Sequence, residues 1–384
     1  MNAIILLLSL VAFASSASMR VTDALLPRIA SEYGVGLAAA SAVVTAFSIT
    51  YGAMQLIFGP LGDRFGKLRV IACAAGGAAI ASLGCFVADG YQALVVARAV
   101  AGGCFACIIP LAMAWIGDVV PYEERQPVLA RFLIGQIMGI AGGAALGGLA
   151  AQSASWSWPF AVFAVWLASG GAALAVASRR DPAPRGAASR FFPDIAEVLR
   201  GAWPRVVLVT VFAEGMVVTG AIAFVPSHLH YVRGMELAAA GSMLVAFGLG
   251  GVGFALAVRR VVRRLGERGL AAGGTLSLCA ALALLALVPW AAAAAVACLV
   301  AGFGFYMLHN TLQTNATQMA PRRRGAGMAL FATSYFMGQS AGVAIAGAAA
   351  QAWGTTAVLI GAAVLVLPVG LAFARLIAAQ PEAA

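Results

Sequence analysis

Between Val288 and Leu308 the chain runs for twenty-one residues without one charged side chain. A helix of roughly 20 apolar residues is long enough to cross the hydrocarbon core of a bilayer. Comparable runs recur along the whole chain. They leave only 10% of its 384 residues charged and 62% hydrophobic, whereas a soluble domain is about 25% charged. A soluble enzyme, a secreted disulfide scaffold and a disordered chain are thereby excluded. An outer-membrane barrel would alternate apolar and polar residues along short segments. These runs do not alternate, so the spans read as helices.

Punctuating charges, Gly and Pro divide the chain into twelve expected spans: 3–27, 37–58, 70–88, 92–113, 129–150, 157–178, 205–229, 237–257, 270–289, 291–315, 327–350 and 355–376. The first lacks a basic leading region and outruns a signal peptide, so it reads as a retained span. Cys73, Cys85, Cys104, Cys107, Cys279 and Cys298 all fall inside apolar runs and read as small buried hydrophobes. No metal-ligand spacing is present.

The net charge of +10 does not point to nucleic acid, because the arginines lie between apolar runs. Twenty of the 24 bases fall in loops on the N-terminal side or at the C-terminal end, and two, Arg28 and Arg233, on the other. The positive-inside rule then places both termini in the cytoplasm, which requires an even number of spans. A single lysine, with abundant Ala, Gly and Arg, suggests a GC-rich bacterial genome and hence a bacterial inner membrane.

Sliding the chain by 199 residues against itself aligns Pro27 with Pro226, Gly103 with Gly302, Arg125 with Arg324, Gly139 with Gly338, Gly143 with Gly342 and Gln152 with Gln351, without a gap. The expected organisation is all-α: two pseudo-symmetric six-helix bundles, 1–178 and 205–384, joined by a cytoplasmic linker, 179–204. Within the linker, 191–200 reads either as an amphipathic surface helix or as part of a tether. Parallel six-helix repeats are an architecture of secondary transporters, with the substrate site between the halves. No Walker A sequence or HExxH appears, which argues against a primary pump and against an enzyme.

Between the second and third spans stands Gly59-Pro-Leu-Gly-Asp63-Arg64-Phe-Gly66-Lys67-Leu-Arg69. This resembles the loop signature of the major facilitator superfamily, in spacing and in position. Gly59 and Gly66 would permit tight turning. The resemblance implies that Asp63, with Arg64 and Lys67 beside it, meets the N-terminus of the eleventh span near 325–328 and closes the cytoplasmic side. The second-half loop, Arg259 to Arg268, keeps the basic character and Gly266 but has no Asp, so the latch reads as one-sided. Asp118, Glu123 and Glu124 could face Arg322–Arg324 across the halves.

Charges inside a span are costly and so mark candidate sites. Span one carries Arg20 and Asp23, span four Arg98 and span seven Glu214. In the superfamily these spans line the central cavity, and Arg98 with Gly102 resembles the R-x-x-x-G pattern of proton-coupled members. Depth suggests an Asp23–Arg98 pair, working in coupling or only orienting helices. Arg20 stands beside it or snorkels to headgroups. Glu214, near mid-membrane with no cation on its own helix, reads as a proton or cation site or as a neutral packing acid; a carboxylate out of water can exchange a proton near neutral pH. Tyr306, Asn310 and Gln313 share a face of span ten with His309 adjacent. These four, with Phe212, Met216 and Phe305, could line a substrate cavity or only pack.

Spans five and eleven are rich in glycine, as in superfamily antiporters, but the Gly-Pro pair of those antiporters is absent, which leaves direction open. The pattern resembles the bacterial drug and sugar efflux branch. The expectation is a monomeric exporter of a small organic solute, driven by the proton gradient with no cofactor, and partnered by substrate, protons and lipid. The alternatives are a proton symporter or uptake permease, and a non-transporting receptor or chaperone on the same fold.

Overall fold

The computed structural model describes residues 2–179 and 191–379. Residues 180–190 of the expected linker, with Arg180, Arg185 and Arg190, lie outside the described residues. The spans are Asn2–Glu32, Leu37–Phe65, Lys67–Phe86, Tyr91–Val119, Tyr122–Ala151, Trp158–Ser178, Ala202–Tyr231, 237–265, 267–287, Ala291–Gln318, Arg324–Trp353 and Thr355–Ala378. By length and hydropathy, ten stretches of the described residues can cross a membrane, with Leu237–Leu287 counted once. That stretch breaks at Gly266 (φ 62°, ψ 179°), which makes it two spans. Span eleven is long enough but more polar, through Thr333, Ser334, Tyr335, Gln339 and Ser340. The result is the expected all-α pair of six-helix bundles.

Several ends differ from expectation. Span one continues through Pro27 to Glu32. Pro27 removes only the ladder bond to the Asp23 carbonyl, a loss that neighbouring helices tolerate in a bundle. Asp23 therefore lies nine residues from the helix end, or about 14 Å at 1.5 Å per residue, deeper than Pro27 as an endpoint implies. Span five begins at Tyr122, and span eight carries Arg259–Arg264 on a continuous helix. Phe191–Arg200 is helical. Its Asp194 (3.0 Å) and Glu197 pair with Arg323 at the start of span eleven.

The internal repeat survives in the packing, with a correction. Gly139 and Gly143 lie over the Phe13 and Ala17 carbonyls, and Gly338 and Gly342 over those of Phe212 and Met216. The offset is 199. Between spans two and four it becomes 200: Gly102 lies over the Phe47 carbonyl and Gly302 over that of Phe247. The positive-φ glycines shift likewise, Gly34 to Gly234 and Gly66 to Gly266. The second half thus holds one extra residue beyond Met216, and span seven has a π-helical turn at Gly215–Thr219. Such a turn absorbs one inserted residue and is frequent at functional sites. It follows directly on Glu214.

The halves meet away from the basic loops. Span two bonds span eleven through Ala38–Gln351 (3.3 Å), Thr45–Ser340 (3.2 Å), Ser48–Gln339 (3.1 Å) and Gly52–Thr333 (3.0 Å). Gln152 bonds Glu236 at 3.3 Å. Gly241 of span eight is wedged against the Ala144 carbonyl, Ala24 and Gly148. This end is sealed down to about the middle of the spans.

Gly241→Leu is expected to break that seal. Overpacking costs about 1–3 kcal/mol, enough to shift a two-state equilibrium by about ten- to a hundredfold. A cysteine placed by Ser41→Cys, protected in the parent, should then react with an impermeant maleimide supplied at the sealed end. Unchanged protection would show that the wedge does not hold the seal.

Candidate functional site

The four span charges do not pair as depth suggested. Asp23 bonds Arg20 at 3.1 Å, one helical turn away on the same span. Arg98 has no carboxylate within ion-pair distance among the described residues. Its guanidinium lies 4.2 Å from the Phe47 ring centroid. It donates to the Ser18 carbonyl (3.1 Å), Ser18 Oγ (3.3 Å), Thr22 Oγ1 (3.3 Å) and the Val43 carbonyl (3.4 Å). Ser18 and Thr22 stand four apart on span one, and Val43 and Phe47 four apart on span two. Arg98 is therefore a fully buried clamp across spans one, two and four. The near-parallel fork of a guanidinium suits several acceptors at once.

Glu214 finds a basic partner on another span. Its Oε2 lies 2.8 Å from His309 Nδ1 on span ten. The imidazole stacks on Phe305 (5.1 Å, 17°) and is edged by Tyr335 (5.0 Å) and Phe331 (5.5 Å). Asp23 and Glu214 are both fully buried, and each keeps one oxygen, Oδ1 and Oε1, without a protein partner among the described residues. Arg20 lies within electrostatic reach of Tyr306 and Tyr335, and Tyr335 within reach of Glu214. Tyr335 thus stands near both pairs, Arg20–Asp23 in one half and His309–Glu214 in the other.

The expected cavity residues divide. Phe305 is buried among Phe247, Tyr306, His309 and Tyr335 and serves packing. Met216 is partly buried, and Phe212 is more open. Along span ten, Tyr306 and Asn310 are half-buried and Gln313 is exposed, so that face opens toward the basic end. The site residues missed by the sequence reading are Tyr335 and Gln339. Both are uncharged, and the signal that marks them is the polar run of span eleven. An apolar groove of 780 Å³ between spans two, three and four, lined by Met54, Phe58, Val100 and Cys104, holds none of these groups.

At the basic end the Asp63 loop is tied within its own half. Gly59 lies inside the helix, and Gly66 (φ 93°) alone makes the turn. Lys67 Nζ bonds Asp118 at 2.5 Å and lies 3.7 Å from Asp63. Arg64 lies over Phe65 at 5.1 Å. Among the described residues Asp63 makes no bond to span eleven, and Arg323 is held by the linker helix rather than by the 118–124 turn. In the second half, Asn315 bonds Glu267 at 3.2 Å, a charge-altered counterpart of the Asp118–Lys67 tie.

Comparison with known proteins agrees with this architecture. The Major Facilitator Superfamily model matches residues 8–342. A multidrug export protein of Haemophilus influenzae, EmrB, is 28% identical over 155 residues, 40% of this chain and 30% of that protein's length. The match therefore spans less than a third of that relative. An uncharacterised transporter of the same type in Bacillus subtilis, YwfA, is 26% identical over 377 residues, 94% of this chain and 89% of that one. A solved bacterial homologue of the human lysosomal transporter Spinster superposes with a TM-score of 0.79 at 16% identity, covering 100% of this chain and 99% of that one. The chain belongs to the major facilitator superfamily.

Proposed function

We propose that this protein is a secondary active transporter that exports a small organic solute in exchange for protons. Two lobes, 1–178 and 205–384, would alternate access to a shared site, with 179–204 joining them. The observation that carries the reading is the pair of fully buried carboxylates, Asp23 and Glu214, one per lobe, each bonded to a basic side chain, Arg20 or His309, beside the interlobe interface. Buried carboxylates so placed can exchange protons as the site opens to either side. A proton on Asp23 releases Arg20, and a proton on Glu214 loosens its hold on His309.

The basic loops favour a cytoplasmic location for the open end and for both termini, in a bacterial inner membrane. On that orientation the sealed face is external and the site faces inward. The Asp63 loop would then close against span eleven in the opposite state, after Arg323 leaves the linker helix. Export is favoured by the relative named as a multidrug export protein and by the glycine-dense spans five and eleven. The unit is a monomer, and no cofactor beyond the proton gradient is required.

The test is proton movement in proteoliposomes on adding solutes identified by growth protection in an efflux-deficient host. Solute-dependent alkalinisation or acidification supports coupling. Solute transport with no proton movement at any pH would remove the coupling claim and leave a uniporter.

A further inference from the structure

Each ion pair in the central site presents only one of its partners to the cavity. Asp23 and Glu214 are sealed, with no exposed side-chain surface. The partner with exposed surface is the basic one: 10% of the Arg20 side chain and 18% of His309. Among the described residues no other acid lies more than a turn or so inside the end of a span. Among the described residues the remaining carboxylates, such as Asp63, Asp118 and Glu236, sit at span ends and in loops. A solute in the cavity therefore meets a guanidinium, an imidazole, the phenols of Tyr306 and Tyr335, and the amides of Asn310 and Gln313. It meets no accessible carboxylate.

Two further observations run the same way. The open end carries Arg259–Arg264 and Arg322–Arg324, of which Arg323 is paired with Asp194 and Glu197, and an excess of one sign at a mouth concentrates solutes of the other. The imidazole is framed by Phe305, Phe331 and Tyr335, so the neighbourhood of His309 is flat and apolar.

We infer that the substrate is an organic anion, with a carboxylate or sulfonate directed at Arg20 and an apolar, ring-sized body beside His309 and Tyr335. The inference rests on the transporter reading above and names its substrate class. Arg20 exchanges its sealed partner, Asp23, for the acidic group of the solute, and the phenols donate the remaining hydrogen bonds. A cationic solute would find both carboxylates covered and would face an arginine-rich mouth.

The test compares three probes of one shape in proteoliposomes: 2-naphthalenesulfonate, 2-naphthalenesulfonamide and 2-naphthylmethylammonium. The sulfonate stays ionised throughout the working pH range, so its own protonation does not confuse the result. Saturable transport of the sulfonate, at least about tenfold above both others, is expected from one charge-assisted contact. Arg20→Gln should erase that preference, and Arg20→Lys should restore part of it. Thermal melting of each purified variant identifies those that fail to fold, and His309→Gln provides a second, independent loss of preference. Preference for the ammonium probe, equal handling of all three, or no saturable transport of the sulfonate would each overturn the inference. Of these, the first two leave transport itself intact. Failure of every solute in the growth screen to move would instead count against the transporter reading.

Discussion

Glu214→Gln is expected to reduce solute accumulation against a gradient to the level of empty vesicles, while solute exchange between equal pools continues. The amide has nearly the shape of the acid and can still accept a hydrogen bond from His309 Nδ1, now 2.8 Å from Oε2. It cannot take up or release a proton. The two readouts therefore separate coupling from architecture. Exchange needs only that the lobes reorient with solute bound, whereas uphill movement needs the proton. If both activities fall together, Glu214 is part of the packing around the π-helical turn. If neither falls, Asp23 carries the coupling alone, and Asp23→Asn should then show the split. Parallel measurement across pH gives a further check: the residual exchange of Glu214→Gln should vary less with pH than that of the parent.

Arg98→Ala should act on folding and not on coupling. The guanidinium fills the space against Phe47 and supplies the bonds to the Ser18 and Val43 carbonyls. Its removal takes a charge-assisted hydrogen bond from each, at about 1.5–3 kcal/mol, although both carbonyls keep their helical bonds. It also opens a void where a large side chain stood, which costs about 3–5 kcal/mol for comparable truncations. Against a total stability of about 5–15 kcal/mol, the variant should lose most of its monodisperse yield and melt well below the parent. Arg98→Lys should not rescue it, because an ammonium cannot serve three spans from one plane. A variant that melts normally but transports without protons would return Arg98 to the role its spacing first suggested, as the tuner of Asp23.

That exchange of roles between Arg20 and Arg98 shows what a single chain reveals. The spans were legible because long uncharged runs admit few other structures, and the break at Pro289 and Trp290 held since no helix residue replaces them. The charges on spans one, four and seven were legible because charge is conspicuous in an apolar background. Their partners were not. Depth along a helix axis fixes one coordinate and leaves rotation about that axis free, so Asp23 could be matched to Arg98 in height while facing Arg20. The same blindness hid His309 as the partner of Glu214, for the two lie on different spans. The repeat was legible, but its single inserted residue was not: Gly102 and Gly103 are adjacent, so Gly302 aligned acceptably with either. The Asp63 loop was read for a different conformational state from the one seen, with the basic end open.

The close seating of Gly139, Gly143, Gly338 and Gly342 over carbonyls of the neighbouring spans has a genetic corollary. Any missense change in a glycine codon introduces at least a Cβ, and at these positions that atom collides with main chain instead of a flexible side chain. Selection should therefore tolerate almost no variation at these codons, whatever the cargo. Deep mutational scanning under any selectable solute should show them as silent columns, and a pair of columns 199 residues apart should empty together.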